Sequence, residues 1–128
     1  MNKTYFFDCE EIIAAVKKYL EASNKGDASI MAPVFHKDAV IFWGGPNPDE
    51  HGHEIQGFFD FINESGPDPD HNPPYHIDIL DMTETTAVTK VVEKWQGITY
   101  TDYHTFIKTP EGWRITAKLY HTHEEAEK

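Results

Sequence analysis

The sequence predicts an α+β fold with helices laid on one face of an antiparallel sheet. Three observations carry that expectation. Apolar residues recur with helical spacing in the first half of the chain, and long runs alternate with period two in the second. Thr109-Pro110-Glu111-Gly112 separates two of those runs, with Pro at the second and Gly at the fourth position of a type I turn. Gln96-Gly97 separates another two and suits a two-residue hairpin.

Asp8 and Glu11 have the spacing of a capping box, and the helix they open sets Ile12, Ile13, Val16, Tyr19, Leu20 and Ser23 on one face. Asn24-Lys25-Gly26 ends it, and Asp27 caps a second short helix through about Val34. Ala39 to Trp43 is β-rich and stopped by Gly44-Gly45-Pro46, so it reads as a short strand. After the Pro/Asp-rich loop from Gly44 to Gly52, a helix over Glu54 to Ile62 presents Ile55, Phe58, Phe59 and Ile62. The loop from Gly66 to Pro74 repeats the Gly-Pro-x-Pro-Asp wording of Gly45 to Asp49, too short a stretch to make a structural repeat. Strands are expected at about His76–Met82, Ala87–Trp95, Ile98–Lys108 and Trp113–Thr122, and the Glu-rich tail from Glu124 is a solvated end. A twisted sheet wrapped on helices leaves a cavity between the layers, where a small ligand would bind.

With 128 residues, the chain is long enough to bury one core and too short for two, so residues 1–128 form a single domain. A formal net charge of -11 repels phosphate backbones and anionic lipid, which excludes nucleic-acid and membrane partners from the expectation. No apolar run reaches membrane-spanning length, no signal-peptide core follows Met1, and a lone Cys9 fits a reducing cytoplasm. Neither a Gly-rich phosphate loop nor a nucleophile elbow is present, so no cofactor is expected. His51-x-His53 and His121-x-His123 each have the offset of a transition-metal pair on an extended strand, with Asp49, Glu50, Asp70 and His71 in nearby loop sequence. Eight His in the chain make chance pairs easy, and Asp68-x-Asp70 lacks the Gly and Glu of an EF-hand, so no metal is expected.

The two tight turns set the strand register. Gln96-Gly97 pairs Glu93 with Tyr100, Val91 with Asp102 and Thr89 with His104. The Pro110 turn then pairs Tyr100 with His121, Asp102 with Leu119, His104 with Ala117 and Phe106 with Ile115. Alternation sends Trp113, Ile115, Ala117, Leu119 and His121 to one face, and Arg114, Thr116, Lys118 and Tyr120 to the other. The first set is more apolar and is taken as cavity-facing, which brings Tyr100, Asp102, His104 and Phe106 inward. A bulge would invert these assignments. Two polar rows result, Glu93–Tyr100–His121 and Thr89–His104 with Asp102 beside it. A neutral His next to a carboxylate can serve as general base near pH 7; equally, such groups can merely satisfy one another. The other sheet face carries Val88, Val92, Tyr103, Ile107, Thr116 and Tyr120, apolar enough to form a homodimer.

A hairpin ending in Gly112-Trp113-Arg114-Ile115 and closing on His121 resembles the last two strands of nuclear transport factor two. Tyr19-Leu20-Glu21, Gly26-Asp27 and Phe35-His36-Lys37-Asp38-Ala39-Val40 resemble the opening of ketosteroid-isomerase and SnoaL-type cyclase relatives. The wording at Tyr100–Tyr103 and the ending Lys118-Leu119-Tyr120-His121 look closest to the lumazine-binding branch of that superfamily. The resemblance implies a cone-shaped, cystatin-like α+β roll, with a curved sheet wrapped around the N-terminal helices. It also implies a homodimer through the convex sheet face. The ketosteroid-isomerase Tyr that donates to a developing oxyanion matches Tyr19, whereas the carboxylate base falls on Trp43 and its partner acid on His104. Without that base, steroid isomerisation itself is not expected.

Two functional readings stay open, together with a dimeric interaction module that has no site. The first is an isomerase, dehydratase or cyclase acting on a small apolar or aromatic carbonyl compound. In it Tyr19 stabilises an oxyanion, His104 or His121 moves the proton, and Asp102 or Glu93 orients the imidazole. The second is a non-catalytic binder that holds a planar ligand among Phe42, Trp43, Phe58, Trp95 and Trp113, with Glu93 and Tyr100 at the same site.

Overall fold

A computed structural model describes residues 4–45 and 54–123. The elements are α1 (Thr4–Lys25), two 3₁₀ turns (Ala28–Ile30 and Ala32–Val34), β1 (Phe35–Trp43), α2 (Ile55–Ser65), β2 (Tyr75–Met82), β3 (Thr86–Trp95), β4 (Ile98–Thr109) and β5 (Gly112–Thr122). The five strands form one sheet in the order β1-β5-β4-β3-β2. β2 to β5 are an antiparallel meander, and β1 runs parallel to β5, so the sheet is mixed rather than wholly antiparallel. No turn joins a parallel pair directly, so nothing local in the sequence announces which strand β1 will join.

The helical face read from the sequence does make the core. Ile12, Ala15, Val16, Tyr19 and Ala22 of α1 pack with Met31, Phe35, Ile62, Val91, Phe106, Trp113 and Ile115. At the end of α1, Gly26 has φ +66°, and a Cβ there would lie 2.2 Å from the backbone of Gly66. Glycine is required both for the left-handed helix stop and for the close approach of the loop after α2. Asp27 caps the first 3₁₀ turn, its side chain accepting from the Ser29 N–H.

The expected capping box is absent. α1 begins at Thr4, ahead of Asp8, and both acids serve the β4–β5 hairpin instead. Asp8 accepts the Trp113 indole N–H at 3.0 Å and the Lys108 ammonium at 3.1 Å, and Glu11 accepts the Trp113 backbone N–H at 2.6 Å. Trp113 is therefore core, held under the first turns of α1, and does not line the cavity between helices and sheet.

The β3–β4 register is the expected one, with Glu93 opposite Tyr100, Val91 opposite Asp102 and Thr89 opposite His104. Gln96 and Gly97 both take positive φ, 52° and 80°, the geometry of a type I′ hairpin turn. The β4–β5 register holds at Phe106–Ile115 and then shifts, giving Thr105–Ala117, His104–Lys118, Asp102–Tyr120 and Tyr100–Thr122. Thr116 is the extra residue, and its hydroxyl donates to the Thr105 carbonyl at 3.2 Å. One added residue reverses the alternation beyond it. Lys118 and Tyr120 consequently face inward, while Leu119 and His121 are exposed on the convex face. The β1–β5 ladder shifts at the same place, between Phe35 and Val40. Phe42, grouped above with the aromatic pocket, is 45% exposed on its strand.

Candidate functional site

Between α1, α2 and the concave sheet lies a cavity of about 250 Å³. Its wall is aromatic (Trp43, Phe58, Phe61, Trp95, Tyr100 and Tyr120), and its polar groups are Tyr19, Ser23, Glu93, Lys118 and Thr122. The rings brace one another: Trp95 lies 6.1 Å from Tyr100 and 5.7 Å from Phe61, and Tyr100 lies 6.0 Å from Tyr120. Two indoles are fixed by their own N–H groups, Trp95 donating to the Ser23 carbonyl at 2.8 Å and Trp43 to the Thr122 hydroxyl at 3.3 Å. A second cleft of about 330 Å³ shares Ser23, Glu93 and Trp95 with the first, so Glu93 lines both.

The helical face that builds the core also carries Tyr19 to the two carboxyls. Its hydroxyl donates to Asp102 Oδ2 at 2.7 Å and to Glu93 Oε1 at 3.0 Å. Glu93 and Asp102 come from adjacent strands and meet at the Tyr19 hydroxyl, which both accept from. Burial and the neighbouring Asp102 charge push the Glu93 carboxyl well above the ordinary carboxylate range. Burial would raise Asp102 too, but the Lys118 charge and the hydrogen bonds from Glu93 and Tyr19 outweigh it and hold its carboxyl low. Two adjacent carboxylates cannot both ionise in a dry site, so Glu93 carries the proton and Asp102 the charge. Burial and those same two acids push the Tyr19 phenol well up, so it remains a donor.

His104 faces inward as expected, its ring edge-on to Tyr19 at 4.8 Å between centroids. Its surroundings are not those of a general base. Burial pulls its pKa down to about 4, so it is neutral at pH 7. Neither ring nitrogen has a hydrogen-bond partner among the described residues, nor do Thr89 Oγ1 and Asp102 Oδ1. His121 lies outside the cavity, its ring against His123 at 4.8 Å. The His123 Nε2 in turn meets Thr101 Oγ1 at 2.7 Å. His51 and His53 lie outside the described residues, and no group of three metal-ligating side chains occurs among those that are described.

Sequence reasoning assigned Lys118 and Tyr120 to the wrong face. Lys118 is only 5% exposed, and its ammonium lies 4.1 Å from the Phe58 ring centroid, 4.6 Å from Tyr120 and 4.9 Å from Tyr19. A cation among three aromatic faces is held by their negative potential. The only signal that could have found it is the bulge at Thr116, which has no sequence mark.

A helix-backed curved sheet enclosing such a pocket defines a member of the NTF2-like superfamily. Within it, the chain belongs to the family described as "Putative lumazine-binding", which matches residues 8–121. The chain is 34% identical over 117 residues to Aldolase FrzH from Cladobotryum sp, spanning 89% of this chain and 90% of that one. An NTF2-like protein of unknown function from Shewanella baltica superposes with a TM-score of 0.83 at 30% identity, covering 97% of this chain and 100% of that one. A second, from Methylobacillus flagellatus, gives 0.80 at 28% identity, with 91% and 93% covered. The fold alone is shared with a ketosteroid isomerase-like protein from Erwinia carotovora, with a TM-score of 0.67 at 15% identity over 91% of this chain and 96% of that one.

Proposed function

We propose that this protein is an enzyme that moves a proton at the carbon beside a carbonyl, on a small apolar or aromatic substrate. The class includes isomerisation, dehydration, cyclisation and aldol-type chemistry. The observation that carries the reading is the buried Glu93–Asp102 pair, holding one proton between two carboxyls at the wall of an aromatic cavity that also contains an ammonium. Glu93 is the member that lines the cavity, so protons enter and leave the pair through it. Lys118 supplies the positive charge that an enolate oxygen needs in a water-poor site. Tyr19 positions the pair, since its single proton is already shared between the two carboxyls. The aldolase name of the 34%-identical relative supports carbonyl chemistry of this kind.

Exchange of α-hydrogens tests the reading without knowledge of the natural substrate. Cyclic and aryl ketones in deuterated water, followed by NMR, should exchange faster with wild type than with Glu93→Gln by roughly 10²–10⁴. Equal rates in both proteins would remove the catalytic role of the pair. Tight binding of planar ligands with no exchange in either protein would favour the second reading, a binder, which the aromatic wall and the lumazine-binding family description support.

We also propose a homodimer through the convex face. There Leu80, Ile107 and Leu119 are 52%, 41% and 50% exposed, an apolar surface that association would cover.

A further inference from the structure

We propose that Lys118 is a nucleophile, whose amine forms an iminium with the carbonyl carbon of a small ketone or aldehyde bound in the aromatic cavity. The inference deepens the reading above and rests on it. Lys118 is buried and lines the cavity, so a bound carbonyl meets its amine away from bulk water. None of the ion pairs among the described residues involves Lys118; its ammonium lies against three ring faces and feels the Glu93 and Asp102 carboxyls only through space. An amine locked in a salt bridge must break it before attacking, whereas ring contacts are weakly directional and yield. A proton donor is also at hand, because Glu93 lines the same cavity and carries its proton. A desolvated lysine beside an acid is the arrangement that carbonyl condensation with an amine requires.

The attacking species is the free amine, formed when the ammonium gives one proton to solvent. Its lone pair forms the C–N bond as the carbonyl π pair moves to oxygen, and one N–H proton passes to that oxygen. The hydroxyl so formed takes the Glu93 carboxyl proton and leaves as water, while the nitrogen lone pair closes the C=N bond. The products are an iminium with one positive charge, a Glu93 carboxylate and one water. That carboxylate then removes the α-proton. The C–H pair becomes the C=C bond of an enamine, and the C=N π pair returns to nitrogen. An enamine is the carbon nucleophile that an aldol-type step uses.

Two measurements test this. Wild type is incubated with cyclohexanone and sodium borohydride, then digested and mapped by mass spectrometry. A cyclohexyl adduct concentrated at Lys118 is expected, with little at exposed lysines such as Lys17 and Lys94. Label confined to the exposed lysines overturns the inference. In parallel, α-deuterium exchange of cyclohexanone is compared between wild type and Lys118→Arg, which keeps the cation and cannot form the iminium. Exchange should fall to the uncatalysed rate. Exchange retained in Lys118→Arg overturns the nucleophile and leaves the enolate reading standing. No exchange with wild type for any ketone, and no adduct, overturns both. Should Lys118→Arg fail to fold by circular dichroism, the wild-type trapping result decides alone.

Discussion

Tyr19, Glu93 and Asp102 form a buried hydrogen-bonded unit in which Glu93 is pushed toward its protonated form and Asp102 toward its charged one. His104 stands beside it as a neutral ring, and its cost appears as acid sensitivity. Its folded pKa of about 4 lies below the ordinary 6.5. Between those two values the unfolded chain binds more protons, so stability falls as pH drops through that window, by roughly 3 kcal/mol for this residue. Glu93 acts in the opposite sense above its ordinary 4.5, because its raised carboxyl favours the folded state only while protonated. A difference curve isolates the histidine. His104→Met removes both the titration and the unpartnered nitrogens, so urea-unfolding midpoints of wild type and variant should converge toward pH 7 and diverge toward pH 4. Parallel curves would show that His104 does not titrate in this way. For turnover, a neutral His104 with its pKa at about 4 sets no acid limb near neutral pH, and the carboxyl pair governs the profile.

At the scale of elements, β5 is bent at Thr116 and decides which side chains enter the pocket, while the start of α1 anchors the other end of the same hairpin. Asp8 is an acceptor for a buried indole and a cation. Burial raises its carboxyl, but the hydrogen bond from Trp113 outweighs this and, with Lys108, keeps the group ionised below the usual range. Asp8→Ala leaves the Trp113 N–H without a partner in the core, a loss expected at about 1–3 kcal/mol in chemical unfolding. Asp8→Asn keeps an acceptor and should lose less. Equal stability of Asp8→Ala and wild type would mean that the tie contributes nothing. Catalysis is expected to survive at temperatures where the variant stays folded, since Trp113 is not among the cavity's wall residues.

Across the whole molecule, the sheet presents two unlike faces. The concave one holds Glu93, Asp102 and Lys118 among aromatic rings, and the convex one exposes Leu80, Ile107 and Leu119. The proposed dimer would cover the second face and leave the first open. Light scattering at micromolar concentration should give twice the chain mass, and Leu119→Lys should shift the distribution toward monomer without changing α-exchange. A monomeric wild type at that concentration would remove the dimer. No helix among the described residues is long and apolar enough to cross a membrane.

By itself the sequence determined what short-range chemistry controls. Helical spacing put Tyr19 on the core side of α1, and the Gln96-Gly97 turn fixed the partners of Glu93, Asp102 and His104, because a two-residue turn leaves no freedom in register. The same register turned Glu93 and Tyr100 inward, and both line the cavity together with Trp43, Phe58 and Trp95. Only the tertiary structure decided the rest. A bulge has no residue signature of its own. It arises at Thr116 where β5 must follow β4 on one side and β1 on the other, and it exchanges His121 for Lys118 at the pocket. Asp8 and Glu11 look like caps until the hairpin arrives over α1 and offers them buried donors. The protonation of Glu93, Asp102 and His104 likewise follows from how much water the closed fold removes, a quantity that no stretch of sequence carries.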